Sequence, residues 1–418
     1  MESLDRCAEP KARTLTLSEA RKRILETVGP ARETERLSLA KARDRVLVED
    51  ILAPFDIPPF ANSAMDGYAL RSSDCADAGT VQFRARVVGT SYAGHPYVGA
   101  LKAGECVRIF TGAAIPEGAD SVVMQEEVAV EEGYARFSRP ARPLENIRPI
   151  GDELPAKAPL LRAGKLLTPA DLGLLASAGI GAVQVRRRIR VAHFSTGDEL
   201  CPVGEALVPG MIYDSNRYTL SALLDRPFLE ACDLGVVRDD PVSLRQALET
   251  AAEMSDAVLT TGGVSVGDAD FVAKLLDDLG QVNFWKVAIK PGKPFAFGSI
   301  GRARFFGLPG NPVAVLVVFH ELVRPGLLRM AGTDLHPDLR LSAVCQSYLR
   351  KAPGRMEFQR GYYEQNGSGQ IVVTACGKQG SHRLSGASQA NCFIILQPES
   401  GPVQPGETVS IKPYSGGW

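Results

Sequence analysis

Three lysines fall within the nine-residue stretch Lys286-Val287-Ala288-Ile289-Lys290-Pro291-Gly292-Lys293-Pro294. Its two prolines and one glycine restrict the turn that presents Lys290 and Lys293, so less conformational entropy is lost when the ammonium groups close on an anion. The chemistry this suggests is capture of phosphate or another oxyanion, with a solvated surface loop as the alternative. Sparse aromatic interleaving argues against a nucleic-acid patch. Acids gather in neighbouring segments at Asp198, Glu199, Asp239, Asp240, Asp268 and Asp270. Carboxylates beside lysines, without histidine or cysteine company, suit Mg2+ held jointly by protein and phosphate. Acids that stabilise helix N-termini are the competing reading.

Ser195-Thr196-Gly197-Asp198-Glu199, Thr261–Asp268 and Leu308–Pro312 each follow a short apolar run that reads as a strand. In an open parallel sheet the carboxyl ends of strands share one edge, so these loops are expected to converge on a crevice. Gly262 and Gly267 have P-loop spacing, but Asp268 and Ala269 stand where a Walker loop needs Lys and Ser or Thr, which removes a nucleoside-triphosphatase reading. Gly179 and Gly181 fail as a dinucleotide fingerprint because Gln184 replaces the third glycine. What remains is a turn whose amides, with the Ser265 hydroxyl, can approach an anion at a helix start, or simply a Gly-rich strand-to-helix connection. Phe55–Ala69 surrounds Asn62, Ser63 and Asp66 with apolar anchors, either as a tightly packed loop or as part of a site. In the tail, Arg355 and Arg360 precede Gly380-Ser381-His382. An arginine there could fork onto an oxyanion, although a surface ion pair is the default. No Ser-His-Asp or Cys-His arrangement is recognisable by spacing.

The elements that must position these residues follow from pattern. From Ser18 a capped helix places Ala20, Ile24 and Val28 on one face and stops at Gly29-Pro30; a second helical stretch is expected near Ala40–Val48. Short β-like runs at Gln82–Val88, Cys106–Phe110 and Ser121–Val128 imply an inserted β-rich module over 53–143. The flanking pieces 14–52 and 144–180 form a helical segment, with Thr168 and Pro169 opening a helix. Over 181–330, strands at Ile189–Phe194, Asp233–Val237, Ala257–Thr260 and Arg304–Leu308 alternate with helices at Arg217–Leu224, Leu244–Ala251, Phe271–Leu279 and Val313–Val323. That alternation predicts a three-layer α/β domain with a parallel sheet. The remainder, 331–418, reads as a small all-β barrel or sandwich. The expected fold class is therefore multidomain α/β plus all-β.

Composition limits the partners. The 418 residues carry 47 Lys and Arg against 48 Asp and Glu, a formal charge of −1, so no global field recruits nucleic acid or an anionic membrane. With 45% hydrophobic and 23% charged residues the chain is ordinary globular material. Met1–Arg13 lacks an apolar secretory stretch and no run is long enough to cross a bilayer, so a cytoplasmic protein is expected. Eight cysteines without a Cys-x-x-Cys and five histidines outside metal-ligand spacing make disulfide, zinc and thiol-redox readings poor.

Taken in order, Asn62–Ala69, Thr261–Asp270, Lys290–Pro294 and Leu308–Pro312 resemble the molybdopterin molybdenumtransferase family, which includes the bacterial MoeA proteins and the E domains of gephyrin and its plant counterpart. The resemblance runs from about Ser18 to the C-terminus. It implies insertion of molybdate into adenylylated molybdopterin with release of AMP, dependent on Mg2+. It also implies an elongated homodimer with the active cleft shared between subunits, a dimerisation role for the helical segment, molybdopterin binding by 181–330 and a C-terminal barrel. Carried over by position, Ser265 and Asp270 act at the adenylyl phosphate, and Asp270 helps hold Mg2+ with Glu199 as a second ligand. Lys290, Lys293, Pro294, Arg360 and Ser381 match the molybdate pocket; Asp66, Thr111, Glu199, Asp239 and Lys286 match further functional positions. Ala314 stands where several relatives have serine, and Glu153 where a relative can have aspartate; the first removes a hydroxyl from the expected anion pocket. No adenylyltransferase domain is recognisable, so adenylylation is assigned to another polypeptide. Expected partners are thus a molybdopterin adenylyltransferase and molybdoenzyme-maturation proteins, with no nucleic acid and no membrane. The alternatives are a molybdopterin adenylyltransferase, whose fold the α/β region alone resembles, and a gephyrin-like binding scaffold.

Overall fold

The computed structural model describes residues 14–76, 83–263, 270–333 and 337–414, with the backbone alone at 270–274 and 284. The chain divides into two compact units, one made of Glu49–Ala163 with Thr168–Val183 and the other of the remainder. In the first, a six-stranded sheet runs in the order Ser121–Met124, Gly67–Leu70, Glu105–Ile109, Phe83–Ser91, Tyr134–Phe137, Val128–Glu131. Tyr68, Leu70, Ala85, Cys106, Val123 and Phe137 form its core. The same unit holds the helix Pro169–Ser177, where Thr168 and Asp171 build a reciprocal capping box behind Pro169.

The second unit is built on a six-stranded mixed sheet. Leu229–Val237, Ile189–Thr196, Ala257–Thr261 and Ala303–Leu308 lie parallel in that order. Pro294–Ile300 and Gly280–Lys286 then extend the sheet antiparallel. Every residue of Ala257–Thr261 is buried, as a strand covered on both faces requires. One face carries Leu244 and Leu248 of the helix Pro241–Met254 and Leu275 and Leu276 of Asp270–Leu279. The other carries Ala20 and Ile24 of the helix Leu17–Thr27, Leu220 and Leu224 of Asn216–Leu224, and the apolar side chains Val315, Val318, Leu322 and Leu327. Helices on both faces make the three-layer domain expected from the strand–helix alternation.

Two local expectations change. The antiparallel pair Gly280–Lys286 and Pro294–Ile300 was not legible as strand because glycine opens the first member and Gly298 interrupts the second. The glycine is needed: a Cβ at Gly298 would lie 2.0 Å from the Gln281 carbonyl oxygen. Near Ala40–Val48 only a single 3-10 turn forms, at Leu39–Lys41. Asp44 has φ 54°, and the amides of Asp44 and Leu47 donate to the carbonyls of Leu167 and Lys165 instead of closing a helix.

The run from Pro312 to Ala331 is helical throughout, but Phe319–Val323 winds as a π turn. Pro325 explains the irregularity, since it has no N–H to give the Glu321 carbonyl four residues back. Arg21 Nε donates to that carbonyl at 3.1 Å and Arg21 Nη2 to the Glu321 carboxylate at 2.8 Å, so the interruption docks the N-terminal helix.

In the tail, Met356–Gln365 pairs with Ile371–Ala375 on one side and Cys392–Leu396 on the other. Cys392–Leu396 pairs with Thr408–Pro413, that strand with Leu341–Cys345, and the last with Ile371–Ala375. The circuit closes a five-stranded barrel around Cys345, Val373, Ile394 and Ile411, which removes exposed sheet edges. A short strand, Ile289–Lys290, adds in parallel to Met356–Glu357 and ties the lysine loop to the barrel.

Candidate functional site

The register of the mixed sheet fixes which loops share an edge. Thr196 pairs with Val237, Ser195 with Thr261, and Thr261 with Leu308, so the segments after all four parallel strands emerge together. Ala296 pairs with Gly307 and Lys286 with Pro294, which brings the lysine loop to the same edge. The convergence expected from strand-end placement is therefore present. Gly262 makes the turn possible: its φ is 89°, and a Cβ there would lie 2.2 Å from the Thr196 carbonyl oxygen.

Among the acids on this edge, Asp239 accepts a hydrogen bond from Thr196 Oγ1 at 3.2 Å, and its amide donates to Asp198 Oδ1 at 3.3 Å. Glu199 folds back over Gly197, while its backbone carbonyl accepts from the Ile212 amide at 2.8 Å. Asp270 opens the helix Asp270–Leu279; Ser265 lies outside the described residues. Among the described residues no three His, Cys, Asp or Glu side chains converge as a metal cage.

Lys290, Lys293 and Pro294 line a cavity of about 490 Å³ together with Asn311, Ala314, Arg355, Glu357, Gln379, Gly380 and Ser381. Its wall is shaped by backbone. The Val287 amide donates to the Lys293 carbonyl at 2.8 Å and closes the lysine turn, and the Val313 amide donates to the Ser381 carbonyl at 3.0 Å. Gln379 is clamped across Arg360: its Oε1 accepts from the Arg360 amide at 2.8 Å and its Nε2 donates to the Arg360 carbonyl at 3.1 Å. Lys286 stands one strand back, half-buried at the end of Gly280–Lys286.

Arg360 is placed differently from the exposed strand arginine that the sequence allows. It is fully buried and lies behind the cavity wall, with Nη2 donating to the carbonyls of Lys378 at 2.8 Å and Gly380 at 3.3 Å. Among the described residues its Nε and Nη1 have no partner, and burial holds its pKa below the ordinary arginine value. Ala314 presents a methyl group to the cavity. Glu357, which sequence reasoning missed, contacts Lys290 Nζ at 3.0 Å. Nothing in the tail sequence signals that contact, because it arises from the parallel register of Lys290 with Glu357.

Asp66 and Thr111 meet in the other unit. Asp66 precedes the strand Gly67–Leu70, Thr111 follows its antiparallel neighbour Glu105–Ile109, and Gly67 pairs with Ile109. The Thr111 amide and hydroxyl both donate to Asp66 Oδ1, at 2.8 and 2.7 Å. The backbone bond first, and the hydroxyl second, hold the Asp66 carboxyl below its usual pKa.

Fold and cavity together define a class: a multidomain α/β protein with a closed C-terminal barrel and a lysine-lined cavity at the carboxyl edge of its mixed sheet. Residues 15–179 match the MoeA N-terminal region (domain I and II), 192–329 the probable molybdopterin binding domain, and 342–414 the MoeA C-terminal region (domain IV). The chain is 46% identical over 403 residues to the molybdopterin molybdenumtransferase of Haemophilus influenzae, covering 96% of this chain and 99% of that one. It is 34% identical to the molybdopterin molybdenumtransferase of Nostoc, covering 89% and 87%. A solved MoeA protein of Pyrococcus horikoshii superposes with a TM-score of 0.84 at 31% identity, covering 96% of this chain and all of that one. The chain belongs to the molybdopterin molybdenumtransferase, or MoeA, family.

Proposed function

We propose that this chain is an enzyme that inserts molybdenum into molybdopterin, and that its substrate is the adenylylated form, with AMP released as molybdate enters. The insertion itself follows from family membership along nearly the whole chain. For the finer reading, the observation that carries most weight is the cavity whose lining includes Lys290, Lys293 and Ser381. A tetrahedral dianion needs several fixed donors, and two ammonium groups and a hydroxyl supply them.

In this reading Lys290, Lys293 and Ser381 bind molybdate, with Pro294 and the closed lysine turn fixing their spacing. Arg360 acts through the loop it holds at Lys378 and Gly380, so it positions Ser381. Lys286, Ser265 and Asp270 serve the adenylyl phosphate. Asp66 is a fixed acceptor kept ionised by Thr111. The oxygen-only donors Glu199 and Asp239 on the sheet edge fit a Mg2+ that retains water and takes phosphate oxygens, which does not require a complete protein cage. Glu199, Asp239 and Asp270 would hold it, and it would neutralise charge and polarise the phosphoanhydride.

The same reading makes the active form a cytoplasmic homodimer. It assigns supply and hand-over to a molybdopterin adenylyltransferase and molybdoenzyme-maturation proteins. Among the described residues no helix is long and apolar enough to cross a membrane. The deciding experiment incubates the purified protein with adenylylated molybdopterin, Mg2+ and molybdate and measures AMP and active cofactor. Molybdate-dependent release of AMP is expected; release independent of molybdate, or none, rejects the finer reading.

A further inference from the structure

The cavity is lined by a carboxylate, Glu357, as well as by the cations Lys290, Lys293 and Arg355. Glu357 and Lys290 face each other in register across parallel strands, with Lys290 Nζ 3.0 Å from Glu357 Oε1. The carboxylate side chain is 7% exposed and the lysine side chain 51%, so the acid is built into the barrel while the ammonium reaches outward. Gln359 Nε2 fixes the same Oε1 from behind at 3.2 Å. Lys293 and Arg355 also line the cavity, and neither has an ion-pair partner among the described residues.

We infer that Glu357 is an internal counter-anion that pairs with Lys290 and limits how tightly an oxyanion binds. The inference rests on the reading of this cavity as an oxyanion site. An entering anion must share Lys290 with Glu357 and come to rest close to a fixed negative charge. The penalty scales with the anion's own charge, because Coulomb energy is proportional to the product of the two charges. A dianion is therefore penalised about twice as much as a monoanion of the same shape in free energy. Lys293 and Arg355 provide the uncompensated attraction. The result is a site that releases its cargo to the transfer step instead of trapping it, in accord with the general cost to turnover of over-stabilising a ground state. Glu357 is thus a positioning residue acting through Lys290.

The test compares molybdate, a tetrahedral dianion, with perrhenate, a tetrahedral monoanion, by calorimetry on wild type, Glu357→Gln and Glu357→Asp. The glutamine variant preserves shape and can still accept from Gln359 while losing the charge. Molybdate is expected to bind it about tenfold more tightly than wild type and perrhenate about threefold, from the charge scaling above. The aspartate variant keeps the charge but withdraws it from Lys290, so it is expected to show the same ordering with smaller gains, molybdate gaining more than perrhenate and neither reaching the glutamine values. A repacking effect alone would change both anions equally. Wild-type binding of molybdate with unchanged or weaker binding by Glu357→Gln, or equal gains for both anions, overturns the inference alone. If wild type binds no oxyanion, the reading of the cavity falls and the inference with it. Should the glutamine variant fail to fold, unchanged or weaker binding of molybdate by Glu357→Asp is the overturning result.

Discussion

Thr111 and Asp66 reach each other from adjacent strand ends, and two donors on one carboxylate oxygen make that acid unusually easy to ionise. The larger cause is the Thr111 amide, which no side-chain substitution removes. Thr111→Val should therefore raise the Asp66 pKa only part of the way towards the ordinary carboxylate value. A lowered folded pKa means the ionised acid persists to lower pH, so the variant should lose activity sooner on acidification and stay closest to wild type near neutrality. A pH profile of molybdate-dependent AMP release checks this; an acid limb that does not move upward would separate Asp66 ionisation from turnover. Lys290, Lys293, Pro294 and Ser381 could be singled out in the sequence because prolines and glycines mark their loops, and all four line one cavity. Glu357 was not, since an acid in a tail strand acquires its meaning only from the register with Lys290. Arg360 was legible as a residue type but not in its setting, because full burial behind the Lys378–Gly380 loop depends on closure of the barrel.

Elements were readable where one period dominates. Ile24 and Ala20 mark a helix face and Ala257–Thr260 a strand, and the structure has a helix at Leu17–Thr27 and a strand at Ala257–Thr261. The antiparallel extension escaped notice because its glycines serve a close approach between backbones, a tertiary requirement that weakens the local strand signal. That same requirement makes it testable. Gly298→Ala would drive a Cβ to 2.0 Å from the Gln281 carbonyl oxygen in the present backbone, so Gly280–Lys286 must shift away. The cost expected is about 1–3 kcal/mol. Because Lys286 ends one strand of the pair and Pro294 begins the other, the lysine turn should be disturbed too. The variant is expected to melt earlier and to bind molybdate more weakly. A melting temperature and affinity equal to those of wild type would show that the strand pair is more tolerant than its spacing implies.

On the scale of the molecule, the α/β unit and the barrel share an ion network that draws on distant parts of the chain. Lys412 Nζ, from the last barrel strand, lies 2.6 Å from Glu321 Oε1 and 2.8 Å from Asp338 Oδ2. Arg21 of the first helix joins both acids, and Arg324 pairs with Asp338. Lys412→Met would leave the fully buried Glu321 carboxylate with less compensation, and a loss of about 3 kcal/mol is expected because removing one partner strands a buried charge. Urea unfolding checks that loss. Beside the network, His320 stacks on Tyr414 at 14° and packs edge-on to Phe393. Burial, followed by the nearby Lys412 and Arg324 charges, presses its pKa down to about 3, with Asp338 opposing and Arg226 adding to the effect. A base with a depressed folded pKa takes up its proton on unfolding, so stability is fully present above the unfolded value near 6.5 and falls as pH drops towards about 3. His320→Phe removes that proton uptake while keeping an aromatic ring. Between pH 7 and pH 5 the wild type should therefore lose about 2 kcal/mol more than the variant, at ~1.4 kcal/mol per pH unit below the unfolded value. Urea unfolding of both proteins at the two pH values measures this as a change in the gap between them, so that other titrating groups common to both cancel. A gap independent of pH would mean that His320 does not drive acid sensitivity at the junction of sheet and barrel.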